Sequence, residues 1–256
     1  MQLTRLGHAM FLFTTEEGKK YLVDPFFDMN PGCPDEYRTE AFFRSLDGIL
    51  LTHGHFDHTS GVEKVLSTNP ECQIIAQYEL AMILMGEGIQ NVFPLNFGGA
   101  VELDGVAATL VPAKHTSSHG ETTGNLTYAG EAAGYVLNFT NGPVIYHSGD
   151  TALMADMKWI QEVYQPTIAI LSSSGTFTMG PKEAAYAVDN LLNVEVVIPS
   201  HTFPTREQAP AQSDYDALSE AFPIVGFMEN KDHEILQYVK GNTRVVVMGY
   251  GETQKF

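Results

Sequence analysis

The chain has 256 residues, 44% of them apolar, and a net charge of −17 from 14 Lys plus Arg against 31 Asp plus Glu. That length and apolar content suffice for one sizeable core, so a single domain over residues 1–256 is expected, and the acidic balance disfavours polyanions and anionic lipid, so neither nucleic acid nor a membrane is expected as a partner. No stretch nears the roughly 18 uninterrupted apolar residues of a membrane span, MQLTRLGHAMFLF lacks the features of a signal peptide, and Cys33 and Cys72 form no C-x-x-C pair; a reduced, cytoplasmic, soluble protein is the expectation.

In chain order, MFLFTT, the turn EEGKK and YLVDPF read as a hairpin, two β-rich runs about a glycine-containing turn. DGILLTH is a strand that runs into the histidine-rich LTHGHFDHTSG, residues 51–61. GVEKVLSTNP has helical spacing and stops at Asn69-Pro70. CQIIAQ reads as a strand and YELAMILMGEG as a helix closed by glycine. The middle is β-dominated: NVFPLN, AVELDGVAATLVPAKH and GEAAGYVLNFTNGPVIYHSGDT, with Asn141-Gly142 as a hairpin turn in the last. Helices are then expected through ALMADMKWIQEVY, through GPKEAAYAVDNLLN with Pro181 in its first turn, and around SDYDALSEAF. Strands are expected at TIAILSSS, VEVVIPSH, EILQYV and TRVVVMG. Two β-rich layers, each covered by helices, would satisfy burial on both faces of each sheet, an α/β fold.

His53, His55, Asp57 and His58 crowd a loop where a buried strand ends and a helix begins. A tight loop of that kind turns alternate side chains toward one point. Imidazole and carboxylate together suit zinc, manganese or iron; a histidine-rich capping turn is the alternative. Three further apolar runs end in a ligand type: His115 after LVPAK, Asp150 after PVIYHSG and His201 after VEVVIPS. Seven potential ligands on four strand ends describe a centre for two divalent metal ions better than one closed site, and open coordination with water is the mark of a catalytic metal.

The pattern H-x-H-x-D-H followed by separate His, Asp and His resembles the metallo-β-lactamase superfamily. LGHAMFLF, LVDPFFDMNPG, YHSGDTAL and GTFTMGPKEAA extend the likeness, from Leu3 to Thr205, to the branch of L-ascorbate-6-phosphate lactonase and related metal-dependent hydrolases. The resemblance implies a four-layer αββα sandwich. It implies one metal on His53, His55 and His115, a second on Asp57, His58 and His201, and Asp150 bridging the two. It implies zinc most often, with manganese used in this branch and iron in redox relatives, and a bridging hydroxide that attacks an electrophilic carbon. Asp57 would orient that water or move its proton, and Asp24 in VDP would fix the tautomer of a ligand imidazole. His8 in LGHA and Phe177 in GTFTMGP are implied near the substrate. After His201 the branch commonly reads H-Y-G-T-F-P, whereas this chain has the shorter SHTFPT.

The remaining histidines carry less. His119 and His147 flank ligand loops in supporting or structural roles, and His233 in ENKDHE is solvated. Ser172 to Ser174 lack the G-x-S-x-G elbow of a serine hydrolase, so they line the pocket or satisfy strand-end backbone groups. The aromatic loop from Phe26 to Phe43 reads as an apolar wall or as a packing surface between subunits, and a homo-oligomer is expected. The expected function is hydrolysis of a small molecule: a lactone, an ester or an isothiocyanate. A phosphodiesterase or nuclease is the alternative, for which Lys114, Lys182 and Arg206 are the available cations. A non-hydrolytic iron-binding redox protein is the contrasting class.

Overall fold

The structure is a computed structural model and describes residues 1–120 and 124–256. The chain opens with β1 (Gln2–Arg5), β2 (Phe11–Thr14), β3 (Lys20–Val23), α1 (Glu40–Arg44), β4 (Gly48–Leu50), α2 (Phe56–Thr59), α3 (Val62–Leu66), β5 (Gln73–Gln77), α4 (Tyr78–Gly86) and β6 (Val92–Leu95). The middle holds β7 (Ala100–Leu103), β8 (Val106–Pro112), β9 (Ser118–Gly120), β10 (Leu126–Tyr128), β11 (Ala133–Phe139) and β12 (Val144–His147). The remainder is α5 (Asp156–Tyr164), β13 (Ile168–Ser172), α6 (Pro181–Asn190), β14 (Val196–Ser200), α7 (Gln212–Ala221), α8 (Lys231–Glu234), β15 (Arg244–Val245) and β16 (Thr253–Lys255).

Two seven-stranded sheets result, in the orders β16-β1-β2-β3-β4-β5-β6 and β15-β14-β13-β12-β11-β8-β7, with β9 and β10 as a separate ribbon. Strands β3 to β6 run parallel, as do β12 to β15, and the rest of each sheet is antiparallel. Period-two alternation decides which face each side chain takes. Phe11 and Phe13 point between the sheets with Leu50, Ile75, Leu137, Ile170 and Ile198. Their neighbours Leu12, Leu22, Ile49 and Ile74 point the other way, onto Val62 and Val65 of α3 and Leu80 and Leu84 of α4. On the second sheet Val136, Ala169, Leu171 and Val197 meet Met157 and Ile160 of α5 and Ala184 and Val188 of α6. Helix, sheet, sheet, helix is therefore the layer order, the αββα sandwich. Tyr135 ties the sheets by polar contact as well: its buried hydroxyl donates to Leu51 O at 2.9 Å and Ile75 O at 3.2 Å.

Two strand expectations fail. EILQYV is the end of α8 followed by a 3-10 turn over Ile235–Gln237. Ile235 and Val239, four apart, both pack against the helical layer of the second sheet while Leu236 is exposed, a helical rather than an alternating pattern. TRVVVMG pairs only over Arg244–Val245; Val246 and Met248 still enter the inter-sheet core. The short α1 was not anticipated from the aromatic loop that contains it.

Arg5, at the end of β1, is 1% exposed. Its guanidinium donates to Asp232 Oδ2 at 2.8 Å, to Met248 O at 2.7 Å and to Thr202 Oγ1 at 2.9 Å, and it lies over the Tyr250 ring. Replacing one partner of such a buried pair leaves a desolvated charge behind. Arg5→Met is expected to reduce unfolding free energy by about 3–5 kcal/mol, and Arg5→Met with Asp232→Leu to recover most of that loss. Urea midpoints at unchanged slope measure both; a single variant as stable as the parent would remove the pair from the fold's supports.

Candidate metal centre

Every side chain of the cluster follows the carboxyl end of a strand. His8 follows β1, Asp24 follows β3, His53 to His58 follow β4, His115 follows β8, Asp150 follows β12 and His201 follows β14. Both sheets therefore deliver groups to one edge of the sandwich. The turns are tight: among the described residues seven non-glycines have positive φ, and His8 (51°), Asp24 (52°) and His201 (58°) are three of them. Each such residue costs about 1–3 kcal/mol and persists only where the surroundings over-determine it. Gly149, with φ 58°, turns Asp150 inward; a Cβ there would stand 2.2 Å from Ala133 O.

The hydrogen bonds around the cluster point ring nitrogens inward. Asp24, fully buried, accepts from Thr52 N at 2.8 Å and Thr52 Oγ1 at 2.7 Å, and lies 2.8 Å from His58 Nδ1. That contact holds the His58 Nδ1 proton and turns Nε2 toward Asp57 and Asp150, 3.5 Å from an oxygen of each. Because the Thr52 hydroxyl donates to Asp24, its oxygen accepts from His53 Nδ1 at 3.0 Å, which leaves His53 Nε2 without a proton, 2.9 Å from His55 Nδ1. Ser174 Oγ contacts His201 Nδ1 at 3.1 Å, and His201 Nε2 lies 2.7 Å from Asp150 Oδ2. His8 Nε2 is 3.0 Å from Asp57 Oδ2, with its ring stacked on Phe203.

Donor atoms of His53, His55 and His115 lie within 4.8 Å of one another, as do those of His8, Asp57, His58 and His201, and those of His53, His58 and Asp150. Burial pushes His8 and His55 down to about 4, and lowers His53 and His115 too, so these rings are neutral and their lone pairs available. Burial opposes ionisation of Asp57 and Asp150. The surrounding histidines outweigh it, His58 and His8 at Asp57, His201 and His58 at Asp150, and hold both carboxyls well below the usual range. Burial likewise opposes charge on His58, but Asp150, Asp57 and Asp24 together raise it well above the ordinary imidazole value. His58 Nε2 and Asp150 Oδ1 are buried with no hydrogen-bond partner among the described residues. Ionised carboxylates on Asp57 and Asp150, neutral imidazoles around them and two buried atoms left without partners fit divalent cations, one of which would take the place of the His58 proton.

A cavity of about 350 Å³ opens over this floor. Its polar lining is His8, His55, Asp57, His115, Asp150 and His201, with Thr116 and Ser118 beside them. Phe26, Phe56 and Phe177 contribute apolar surface, but most of the apolar wall is Phe203, Leu218, Phe222, Ile224, Val225 and Met228. The aromatic loop is thus mostly not a wall: of its rings only Phe26 reaches the cavity, while Phe27, Phe42 and Phe43 pack beneath the first sheet within the same chain. Lys114, Lys182 and Arg206 are all exposed and none lines the cavity; Arg206 is paired with Asp216 at 2.6 Å. His147 Nδ1 accepts from Gly149 N at 3.2 Å, His119 contacts Glu87 at 3.2 Å on the surface, and His233 is exposed beside Asp232. Ser148 Oγ accepts from Ser172 N at 3.1 Å, and Ser172 Oγ from Thr151 N at 3.4 Å, so these serines cap strand ends. Thr52 and the 203–228 wall are the positions around the cavity that sequence reasoning missed; Ser174, read from sequence as a pocket-lining or strand-capping serine, contacts His201 Nδ1. The apolar run FPIVGFM was the one available signal for the wall.

Residues 19–202 match the Beta-lactamase superfamily domain. The chain belongs to the metallo-β-lactamase superfamily. It is 40% identical over 222 residues to a metal-dependent hydrolase of Herpetosiphon aurantiacus, across 84% of this chain and 90% of that one. A metallo hydrolase from the archaeon Ignicoccus hospitalis superposes with TM-score 0.77 at 28% identity, covering 100% of this chain and 98% of its own. An isothiocyanate hydrolase from Delia radicum gut bacteria shares the fold, with TM-score 0.68 at 19% identity over 100% and 99% of the two chains. The protein is accordingly a metal-dependent hydrolase. No helix among the described residues is long and apolar enough to cross a membrane.

Asp24 reaches the cluster only through His58 and Thr52. Asp24→Asn is expected to weaken metal binding by about 10–100-fold, read by competition with a fluorescent zinc chelator. Unchanged affinity would show that the two tautomers are set by something else.

Proposed function

We propose that this hydrolase uses two divalent cations to hydrolyse an uncharged small molecule at an electrophilic carbon, a lactone of the ascorbate-6-phosphate lactonase-like branch or, with the same chemistry, an ester or isothiocyanate. The observation that carries the reading is the composition of the cavity: a floor of buried and half-buried His and Asp donors beneath an apolar wall, with no Lys or Arg among the described residues that line it. One cation would be held by His53, His55 and His115, the other by Asp57, His58 and His201, with Asp150 between them. Zinc suits this nitrogen and oxygen donor set, and manganese or iron would also be accepted by it. When bound, the cations supply Lewis acidity and a water acidified enough to attack near neutral pH.

The chain's own groups do the rest. Asp57 Oδ2, held by His8 Nε2 at 3.0 Å, orients the attacking water and takes its proton. For a lactone, the water oxygen adds to the acyl carbon, the ring C–O bond breaks and the proton ends on the released alkoxide, giving a hydroxy acid. Phe26 and Phe203 exclude bulk water from the His8 side. A phosphate ester or nucleic acid would need cationic groups that this cavity lacks, and the net charge of −17 repels polyanions. The expected partner is therefore a small molecule, and the chain is expected to form a homo-oligomer in the cytoplasm.

Chelation should abolish turnover and added zinc or manganese should restore it; Asp150→Ala should lose bound metal by elemental analysis. Asp57→Asn should lower kcat by about 100-fold or more; a rate within twofold of the parent at equal metal content would refute its role. An uncharged lactone should exceed a phosphorylated sugar lactone of similar size in kcat/KM by about tenfold, since burying one apolar ring contributes about 1.5–3 kcal/mol. A clear preference for the phosphorylated compound that is lost on replacing Lys114 or Lys182 would overturn the charge selectivity.

A further inference from the structure

Between the last cluster histidine and α8 the chain makes one excursion that begins and ends at the same side chain. Arg5 donates to Thr202 Oγ1 at 2.9 Å where the excursion leaves and to Asp232 Oδ2 at 2.8 Å where it returns. Next to that closure, Phe203 N donates to Met228 O at 3.3 Å and Asn230 N to Phe203 O at 3.0 Å, a two-sided zip. The far end is tied to the loop after β3: Arg38 pairs with Asp214 at 2.6 Å, and Ala211 N donates to Pro31 O at 3.1 Å. The excursion lies outside the matched domain, which covers residues 19–202.

Its apolar side chains do not join any of the three cores of the sandwich. Phe203, Leu218, Val225 and Met228 form a fourth cluster with Phe26, against which Phe56 and Phe222 pack. Every member of that cluster also lines the cavity. The exposure is graded: Met228 is 1% exposed, whereas Ile224 and Phe177 toward solvent are 40% and 51% exposed. Phe222 stacks on Phe56 at 5.3 Å, and Phe56 opens the helix that carries Asp57 and His58. An apolar slot so placed, beside the His/Asp floor in a cavity of about 350 Å³, has the volume of a small-ligand site.

We propose that residues 203–231 are the specificity element of this hydrolase, an Arg5-closed excursion that lays an alkyl or aryl substituent of the substrate along Phe203, Leu218, Phe222 and Met228 while the electrophilic carbon sits over the His/Asp floor. The proposal rests on the hydrolytic reading above and adds the substrate class: uncharged electrophiles bearing an apolar chain. Each methylene drawn from water into the slot should raise kcat/KM about three- to fourfold.

The test uses the metal-loaded full chain with unbranched alkyl isothiocyanates and γ-alkyl lactones from methyl to hexyl, alongside calorimetric Kd values for n-alkyl hydroxamates of the same lengths. Both kcat/KM and hydroxamate affinity should climb with chain length in the parent. In Phe222→Ala and Met228→Ala the hexyl-to-methyl ratio should fall about tenfold at unchanged metal content, and Phe222→Leu, which keeps an apolar side chain, should retain most of it. If neither substrate series is hydrolysed, the hydrolytic reading fails, and a rising hydroxamate affinity still supports the slot. Hydrolysis with a flat length dependence, or a ratio unmoved in both alanine variants, overturns the proposal and leaves the hydrolytic reading standing.

Discussion

A carboxyl group with no access to water has to be fully hydrogen-bonded, and the way Asp24 meets that demand organises the rest of the site. It takes the backbone N–H and the hydroxyl of Thr52 and the Nδ1 proton of His58, at 2.7–2.8 Å throughout. Satisfying one buried acid thereby fixes the direction of the His53–His58 loop and presents the Nε2 atoms of two imidazoles to the cluster. Asp24 holds a left-handed backbone (φ 52°) just past β3, and from there its side chain reaches Thr52 just past β4. Local strain at one residue is exchanged for preorganisation of a whole donor set.

The molecule divides its labour along that edge. The sandwich supplies rigid strand ends, so the donors stand on well-packed elements. The 203–231 excursion supplies the apolar wall and belongs to none of the three main cores. Packing requirements on the two parts are therefore nearly independent: the floor is constrained by both sheets, whereas the wall answers mainly to Arg5, Arg38 and its own rings. Such separation lets ligand preference vary while the fold and the donor set are kept.

The contiguous His53–His58 stretch was legible because its ligand types crowd six residues right after an apolar strand. The distant His115, Asp150 and His201 were legible as strand ends, and two helix-covered β-layers followed from the succession of strand-rich and helix-rich runs. Other features were hidden for physical reasons. EILQYV carries the strand-favouring Ile, Tyr and Val, but Asp232 is drawn to Arg5 and Ile235 into the second helical layer, so a helix wins there. The rings of the Phe26–Phe43 loop advertise a surface, yet Phe27, Phe42 and Phe43 close the space beneath the first sheet. The wall residues share no period. They become neighbours only through closure at Arg5, a contact spanning 227 residues to Asp232 that no local window contains.

That closure also bears on how the chain matures. Arg5 is synthesised early and sits in β1, yet its acceptors Asp232 and Met248 and the β16 strand that pairs with β1 all come from the far end of the chain. Contacts of such sequence separation form late, because the loop entropy must be met before they contribute. Until β16 arrives, β1 therefore lacks that strand partner and Arg5 these acceptors. A positively charged residue on an open edge strand discourages edge-to-edge association. The same side chain that later staples the cavity wall thus guards the nascent sheet while it waits for its partners.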